Sequence, residues 1–109
     1  MRLVVANAFS PNMLPGPSVL AFIPVDLSTA RRLVQNVGQI YSVVGHESTA
    51  KVLTALLGVE INANRENYKI GPNDVLRVFT VPTRLPEGKV LDEAELNRIA
   101  YNMKIYLVA

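Results

Sequence analysis

The chain holds one histidine and no cysteine, so any imidazole chemistry belongs to a single position, His46. His46 stands in the run Gly45-His46-Glu47-Ser48-Thr49, directly ahead of a helical pattern in which Ala50, Leu53, Leu56 and Leu57 share an apolar face. An imidazole takes up or gives a proton near neutral pH. A helix start presents backbone N–H groups that have no partner inside the helix, and with the hydroxyls of Ser48 and Thr49 they form a phosphate cradle. A plainer reading makes His46 a side chain satisfied by a backbone partner at the border of the core. Ser48 and Thr49 are then helix caps and nothing more. Pattern alone does not separate the two readings.

Other residue types narrow the chemistry. The run lacks the Gly-x-Ser-x-Gly order of a serine-hydrolase elbow. It is not His-Glu-x-x-His either, because position 50 is alanine. With one histidine and no cysteine a zinc site lacks ligands, and the scattered acidic residues announce no magnesium site, so no metal or other cofactor is expected. Arg65 follows Asn62-Ala63-Asn64 and Arg84 follows Val81-Pro82-Thr83. Arginine binds phosphate with two parallel hydrogen bonds and counters charge that grows in a transition state. Lys89 adds a point charge, and Glu87, followed by Gly88, is a carboxylate suited to orienting an imidazole. Taken singly, each of these charges is more commonly plain surface solvation. Asn7, Ser10 and Asn12 offer short polar groups that read a base edge or a ribose, or else make local turns.

These groups need elements to position them. Leu3 to Ala6 reads as a buried strand and Val19 to Val25 as a second, with Pro24 marking an edge or exit. Ser28 caps a helix that reaches Val37 and is stopped by Gly38. Ile40 to Val44 is a short strand or an extended approach to the histidine. The next helix runs from about His46 to Leu57, with Gly58 as its stop. Tyr68 to Ile70 and Val75 to Val81 flank a Gly71-Pro72-Asn73-Asp74 turn and suggest a hairpin. Asp92 and Glu95 form a capping box for a third helix, with Leu91 and Leu96 at staple spacing. Lys104 to Val108 is a final strand. Interleaved strands and helices predict one α/β (α+β) domain over residues 1–109, with a mixed sheet of about five strands flanked by helices.

Bulk composition agrees. Half of the residues are hydrophobic and 18% are charged, which supports a packed core over disorder. The net charge of +2 is too small for wrapping duplex DNA, so no specific duplex partner is expected. No apolar run approaches the roughly 20 residues of a membrane span, and the first residues are too short an apolar run for a secretory signal. The expected location is a cell interior.

Four segments together carry a family resemblance: Asn7-Ala8-Phe9-Ser10-Pro11-Asn12-Met13-Leu14, Gly45-His46-Glu47-Ser48-Thr49, Asn64-Arg65, and Arg84-Leu85-Pro86-Glu87-Gly88-Lys89. In this order they resemble the small viral and cellular ring nucleases that degrade cyclic tetra-adenylate, among them anti-CRISPR proteins of archaeal viruses. The resemblance implies a homodimer with the cyclic ligand across its two-fold axis. It further implies metal-free cleavage to linear di-adenylate with a 2′,3′-cyclic phosphate end, which removes the signal for type III CRISPR effectors. On that match His46 is the catalytic histidine and Glu87 its supporting acid. Arg65, Arg84, Ser48 and Thr49 contact phosphate and ligand, and Asn7, Ser10 and Asn12 line the site. Thr83 stands where related proteins often have glutamine, and Pro86 where an acidic residue is frequent. These departures keep open a module that binds the cyclic nucleotide without cutting it, and the small size and net charge of +2 keep open a viral interaction or DNA-associated protein without ligand chemistry.

Overall fold

The computed structural model describes residues 2–37, 39–81 and 91–109. Strand β1 (Arg2–Ala6) leads through a short 3-10 helix (Pro11–Met13) to β2 (Phe22–Val25) and helix α1 (Leu27–Gln35). Then follow β3 (Ile40–Ser42), α2 (Glu47–Leu57), β4 (Asp74–Thr80), α3 (Glu93–Asn102) and β5 (Lys104–Val108). The strands form one mixed sheet in the order β2-β5-β4-β1-β3. β1 pairs in parallel with both β3 and β4, while β5 runs antiparallel to β4 and β2. The expected α/β domain with a five-stranded mixed sheet and flanking helices is therefore the observed one.

After Arg2, β1 is an unbroken apolar run, as suits a strand covered on both faces. Leu3 and Val5 face the core that packs Ala30 and Val34 of α1, Leu53 and Leu57 of α2, and Leu96 and Ile99 of α3. Val4 and Ala6 face the other way, against Leu76, Val78 and Tyr68, with Phe9, Met13 and Ile70 packed over them. All three α-helices thus serve one face, and loops cover the other. Leu53 and Leu57 are completely buried, so truncating either to alanine costs about 2–5 kcal/mol. At the far edge, Ala21 and Ala109 exchange both backbone hydrogen bonds. The alternation of the ladder then puts Pro24, opposite Tyr106, where its missing N–H faces the open edge and no sheet bond is lost.

Several local expectations shift. β2 is shorter than Val19 to Val25, and Val19 is fully exposed, because the proline-rich stretch before it cannot join the ladder. Helix α1 is capped by Asp26 rather than Ser28: its Oδ1 accepts from Thr29 N at 2.7 Å. It ends at Gln35 with Asn36 as C-cap, short of Val37, and Gly38 lies outside the described residues. The capping box of Asp92 and Glu95 is present. Gly58 closes α2 in the left-handed region at φ 72°, where a side chain would be strained.

The hairpin over 68–81 does not form. The Gly71–Asp74 turn exists, with Asp74 N donating to Gly71 O at 3.2 Å, but Tyr68–Ile70 is a loop and β4 pairs with β1 and β5 instead. The cause is a clasp at the amino ends of the parallel strands. Arg2 Nε and Nη2 donate to the two carboxylate oxygens of Asp74, each at 2.9 Å, across the β1–β4 register. Tyr68 Oη donates to the same carboxylate at 2.5 Å and Gly71 N at 2.9 Å. Tyr68 is buried beneath the sheet, which draws residues 68–70 away from β4.

The Arg2 guanidinium, helped by Tyr68 and the Gly71 amide, holds the Asp74 carboxyl well below the usual carboxylate range, against the opposing effect of burial. Burial first, and then the bond to Asp74, push the Tyr68 hydroxyl up. A depressed carboxylate contributes stability that is complete above its unfolded-state value, about 3.9. That contribution is lost as the pH falls through the lower folded-state value. Asp74→Ala is expected to cost about 2 kcal/mol at neutral pH, the scale for hydrogen bonds to a charged group. Arg2 supplies less of this than an enclosed partner would, because its side chain is 42% exposed. Urea midpoints measured across pH should show a gap between wild type and variant that is constant in the neutral range and narrows only below about pH 4. A gap that closes already between pH 7 and 5 would contradict the clasp.

Candidate functional site

Parallel pairing delivers two sequence-distant segments to the same end of the sheet. Val5 lies opposite Ser42, and Val43 N continues the ladder to Val5 O at 2.9 Å. Two residues further on, Asn7 leaves β1 beside the Val44–Gly45 step. There Asn7 Oδ1 accepts from Gly45 N at 3.3 Å, a bond across 38 positions of sequence. The turn immediately before His46 is thus tied to the end of β1.

His46 is the N-cap of α2, with extended backbone at φ −128° and ψ 132°. Its carbonyl begins the helix by accepting from Ala50 N at 3.0 Å, but its side chain caps none of the first-turn N–H groups. The imidazole is exposed and has no hydrogen bond among the described residues. Among the described residues, His46 thus has no backbone partner beside the core. The apolar face belongs to the helix proper, where Ala50, Val52, Leu53, Leu56 and Leu57 are buried. An uncapped amino end leaves three N–H dipoles, of Glu47, Ser48 and Thr49, aimed beside the imidazole. Thr49 is 8% exposed as a residue, while Ser48 remains partly open.

Arg65 completes the cluster. The Val44–Ala63 bridge, with Asn64 N donating to Val44 O at 2.8 Å, brings residues 62–65 alongside the approach to His46. A Cβ added to Gly45 would stand 3.8 Å from Arg65 Cγ, so the arginine stem runs directly over the glycine. The guanidinium is exposed and has neither hydrogen bond nor ion pair among the described residues.

Ser10 and Asn12 make other contacts. Ser10 Oγ caps the 3-10 helix by accepting from Asn12 N at 3.3 Å, and Asn12 O accepts from Lys69 Nζ. No hydrogen bond joins either to Asn7, His46 or Arg65 among the described residues. Arg84, Glu87, Thr83, Pro86 and Lys89 lie outside the described residues. Among the described residues no three histidine, aspartate or glutamate side chains gather as metal ligands. Sequence reasoning missed Tyr41, Asn64 and Glu66, which surround the Arg65 segment. Asn64 Nδ2 donates to Ser42 O at 2.8 Å and to Glu66 Oε1 at 2.7 Å, and Tyr41 Oη donates to the same Glu66 oxygen. Only the position of Asn64 next to Arg65 hinted at them.

Comparison with known proteins places this geometry in a lineage. The STIV B116-like family matches residues 3–103. The chain belongs to that family. Its fold matches the solved structure of B116 of Sulfolobus turreted icosahedral virus with a TM-score of 0.85 and 27% identity, covering 99% of this chain and 98% of that one. A protein of Sulfolobus islandicus filamentous virus, "Uncharacterized protein 26", is 35% identical over 97% of this chain and 91% of its own length. The bacterial "Uncharacterized protein YddF" of Bacillus subtilis is 33% identical over 59% of each chain. Relatives of the family thus occur in viruses and in a cellular genome.

Gly45 provides a direct check on this site. Its φ is not positive and an added Cβ would meet Arg65 only at ordinary contact distance. Gly45→Ala should therefore fold with stability within about 0.5 kcal/mol of wild type. If a phosphate-bearing ligand enters between Arg65 and the start of α2, its binding is expected to fall, since the methyl would stand against the Arg65 stem. Urea unfolding and calorimetry measure the two effects separately. A large loss of stability would show that the backbone, rather than access, demands glycine here.

Proposed function

We propose that this protein is a metal-independent ring nuclease. It opens cyclic tetra-adenylate to linear di-adenylate with a 2′,3′-cyclic phosphate end and so quenches type III CRISPR signalling inside the cell. The observation that supports this best is the exposed imidazole of His46 at an uncapped helix start, with the stem of Arg65 passing the neighbouring Gly45 and neither side chain bonded among the described residues. In this reading a phosphodiester sits against the imidazole, the first-turn N–H dipoles and the arginine, none of which has a side-chain partner among the described residues. The family resemblance of the four sequence segments supplies the substrate.

The reaction asks little of the protein beyond alignment and charge control. The ribose 2′-oxygen attacks its own 3′-phosphorus, so the nucleophile is already in place and need only be turned in line with the leaving 5′-oxygen. The O2′–P bond forms as the P–O5′ bond breaks. Imidazolium at His46 gives its proton to O5′, and the 2′-hydroxyl proton passes to solvent. Arg65 and the first-turn N–H groups of α2 hold the phosphoryl oxygens as negative charge builds on them. Arg84 and Glu87 act with them in this proposal, the one on phosphate and the other in orienting the imidazole. Cutting a ring of four into two equal halves takes two breaks. A chain with one histidine meets that demand as a homodimer that presents His46 from each subunit across a two-fold axis.

The test is incubation with cyclic tetra-adenylate in EDTA, followed by chromatography. The expected product is di-adenylate with a cyclic phosphate end. His46→Ala should cut about 10²–10⁴-fold more slowly, the span of a lost general acid, and bind the ring nearly as well as wild type. An intact ring at stoichiometric protein would sink the enzymatic reading. Tight binding without product would instead favour a sequestering module, the reading to which Thr83 and Pro86 lend weight.

A further inference from the structure

Arg65 is followed directly by a carboxylate, Glu66, and both are exposed, yet the two form no ion pair. Glu66 Oε1 is engaged elsewhere. It accepts from Tyr41 Oη and from Asn64 Nδ2, the latter at 2.7 Å. Asn64 is itself anchored to the β3 edge through Ser42 O at 2.8 Å and Val44 O at 2.8 Å. Tyr41 is fixed by its place in β3 and by Arg2, whose guanidinium carbon lies 4.3 Å from the ring centroid. Two donors on rigid scaffolding thus hold one oxygen of the carboxylate that would most readily neutralise Arg65, and so fix where the group lies.

We propose that Tyr41 and Asn64 are positioning residues that hold Glu66 away from Arg65 and keep the guanidinium unpaired for the phosphate of an incoming nucleotide. The inference rests on the reading of Arg65 as a phosphate contact. The physical argument is competition. A carboxylate within reach of an arginine occupies the same donors that a phosphate needs, and the ligand must then displace it. The bond to Glu66 also raises the Tyr41 hydroxyl above its ordinary value, so the donor stays protonated throughout the neutral range. Tyr41 and Glu66 need no contact with the ligand for this effect.

Tyr41→Phe removes the hydroxyl and keeps the ring that stacks on Arg2, so the fold should survive. Freed of one donor, Glu66 should turn to Arg65. Calorimetry with cyclic tetra-adenylate should show affinity lower by about two- to five-fold, the worth of an exposed ion pair, with the deficit shrinking as salt is added. Glu66→Gln should bind as wild type does. The double variant Tyr41→Phe/Glu66→Gln should recover wild-type affinity, because glutamine cannot neutralise an arginine. A purely structural role for the tyrosine would leave the double variant as weak as the single one, and that result would overturn the proposal. Arg65→Ala sets the scale: if it binds as wild type does, Arg65 is no phosphate contact and the proposal falls while the nuclease reading stands. If wild type itself does not bind, the ring-nuclease reading fails, and a crystal structure of ligand-free Tyr41→Phe decides the clamp alone. An Arg65–Glu66 pair within 4 Å supports it, and continued separation of the two refutes it.

Discussion

Parallel pairing of β1 with both of its neighbours is the constraint on which the rest of this molecule depends. Parallel strands cannot be joined by a tight turn, so every crossover must travel the length of the sheet. The helices that make those crossovers, α1 and α2, bury their apolar faces on one side of it. The same pairing sorts chemistry to opposite ends of β1. At its amino end the Arg2–Asp74 clasp sets the register with β4. At its carboxyl end Asn7 emerges beside Gly45 and binds its amide. One residue of slip would turn each β1 side chain to the opposite face of the sheet, sending Leu3 and Val5 to the loop side and parting Asn7 from Gly45.

The site departs from the rules that govern the other helix starts. Asp26 and Asp92 cap α1 and α3 with carboxylates, and α3 has a full capping box. His46 leaves α2 without a side-chain cap, an omission worth about 1 kcal/mol. Arg65 has no partner among the described residues although a carboxylate is adjacent in sequence. Groups left unsatisfied by the fold itself are where an anionic ligand has something to gain, and such local inconsistencies are what a binding site looks like in an otherwise consistent chain.

How much was legible in the sequence follows the range of the interactions concerned. The capping box of Asp92 and Glu95 spans three residues and could be read directly. The stop at Gly58 and the buried face of α2 were equally local. Where two local signals competed, the choice was lost: Asp26 and Ser28 both suit an N-cap, and the carboxylate that reaches Thr29 N prevailed. The 71–74 turn was read correctly but its consequence was not. A turn reverses the chain without naming the strand's partner, and Arg2, 72 positions away, claimed Asp74. The 3-10 helix that Ser10 caps is a further local feature, since the cap spans two residues.

By itself, the sequence determined the residue types available for chemistry and the elements that carry them. There is one imidazole, set before an amphipathic helix, and a few arginines at element ends, because periodicity and capping act within a few residues. Tertiary structure alone decided which of these meet. It brought Asn7 to Gly45, laid Arg65 over that glycine, exposed His46, buried Thr49, and joined Tyr41, Asn64 and Glu66 to one another next to Arg65 in the chain. The reason is physical: strand register and burial depend on the whole sheet and the helices packed upon it, and no window of neighbouring residues contains that information.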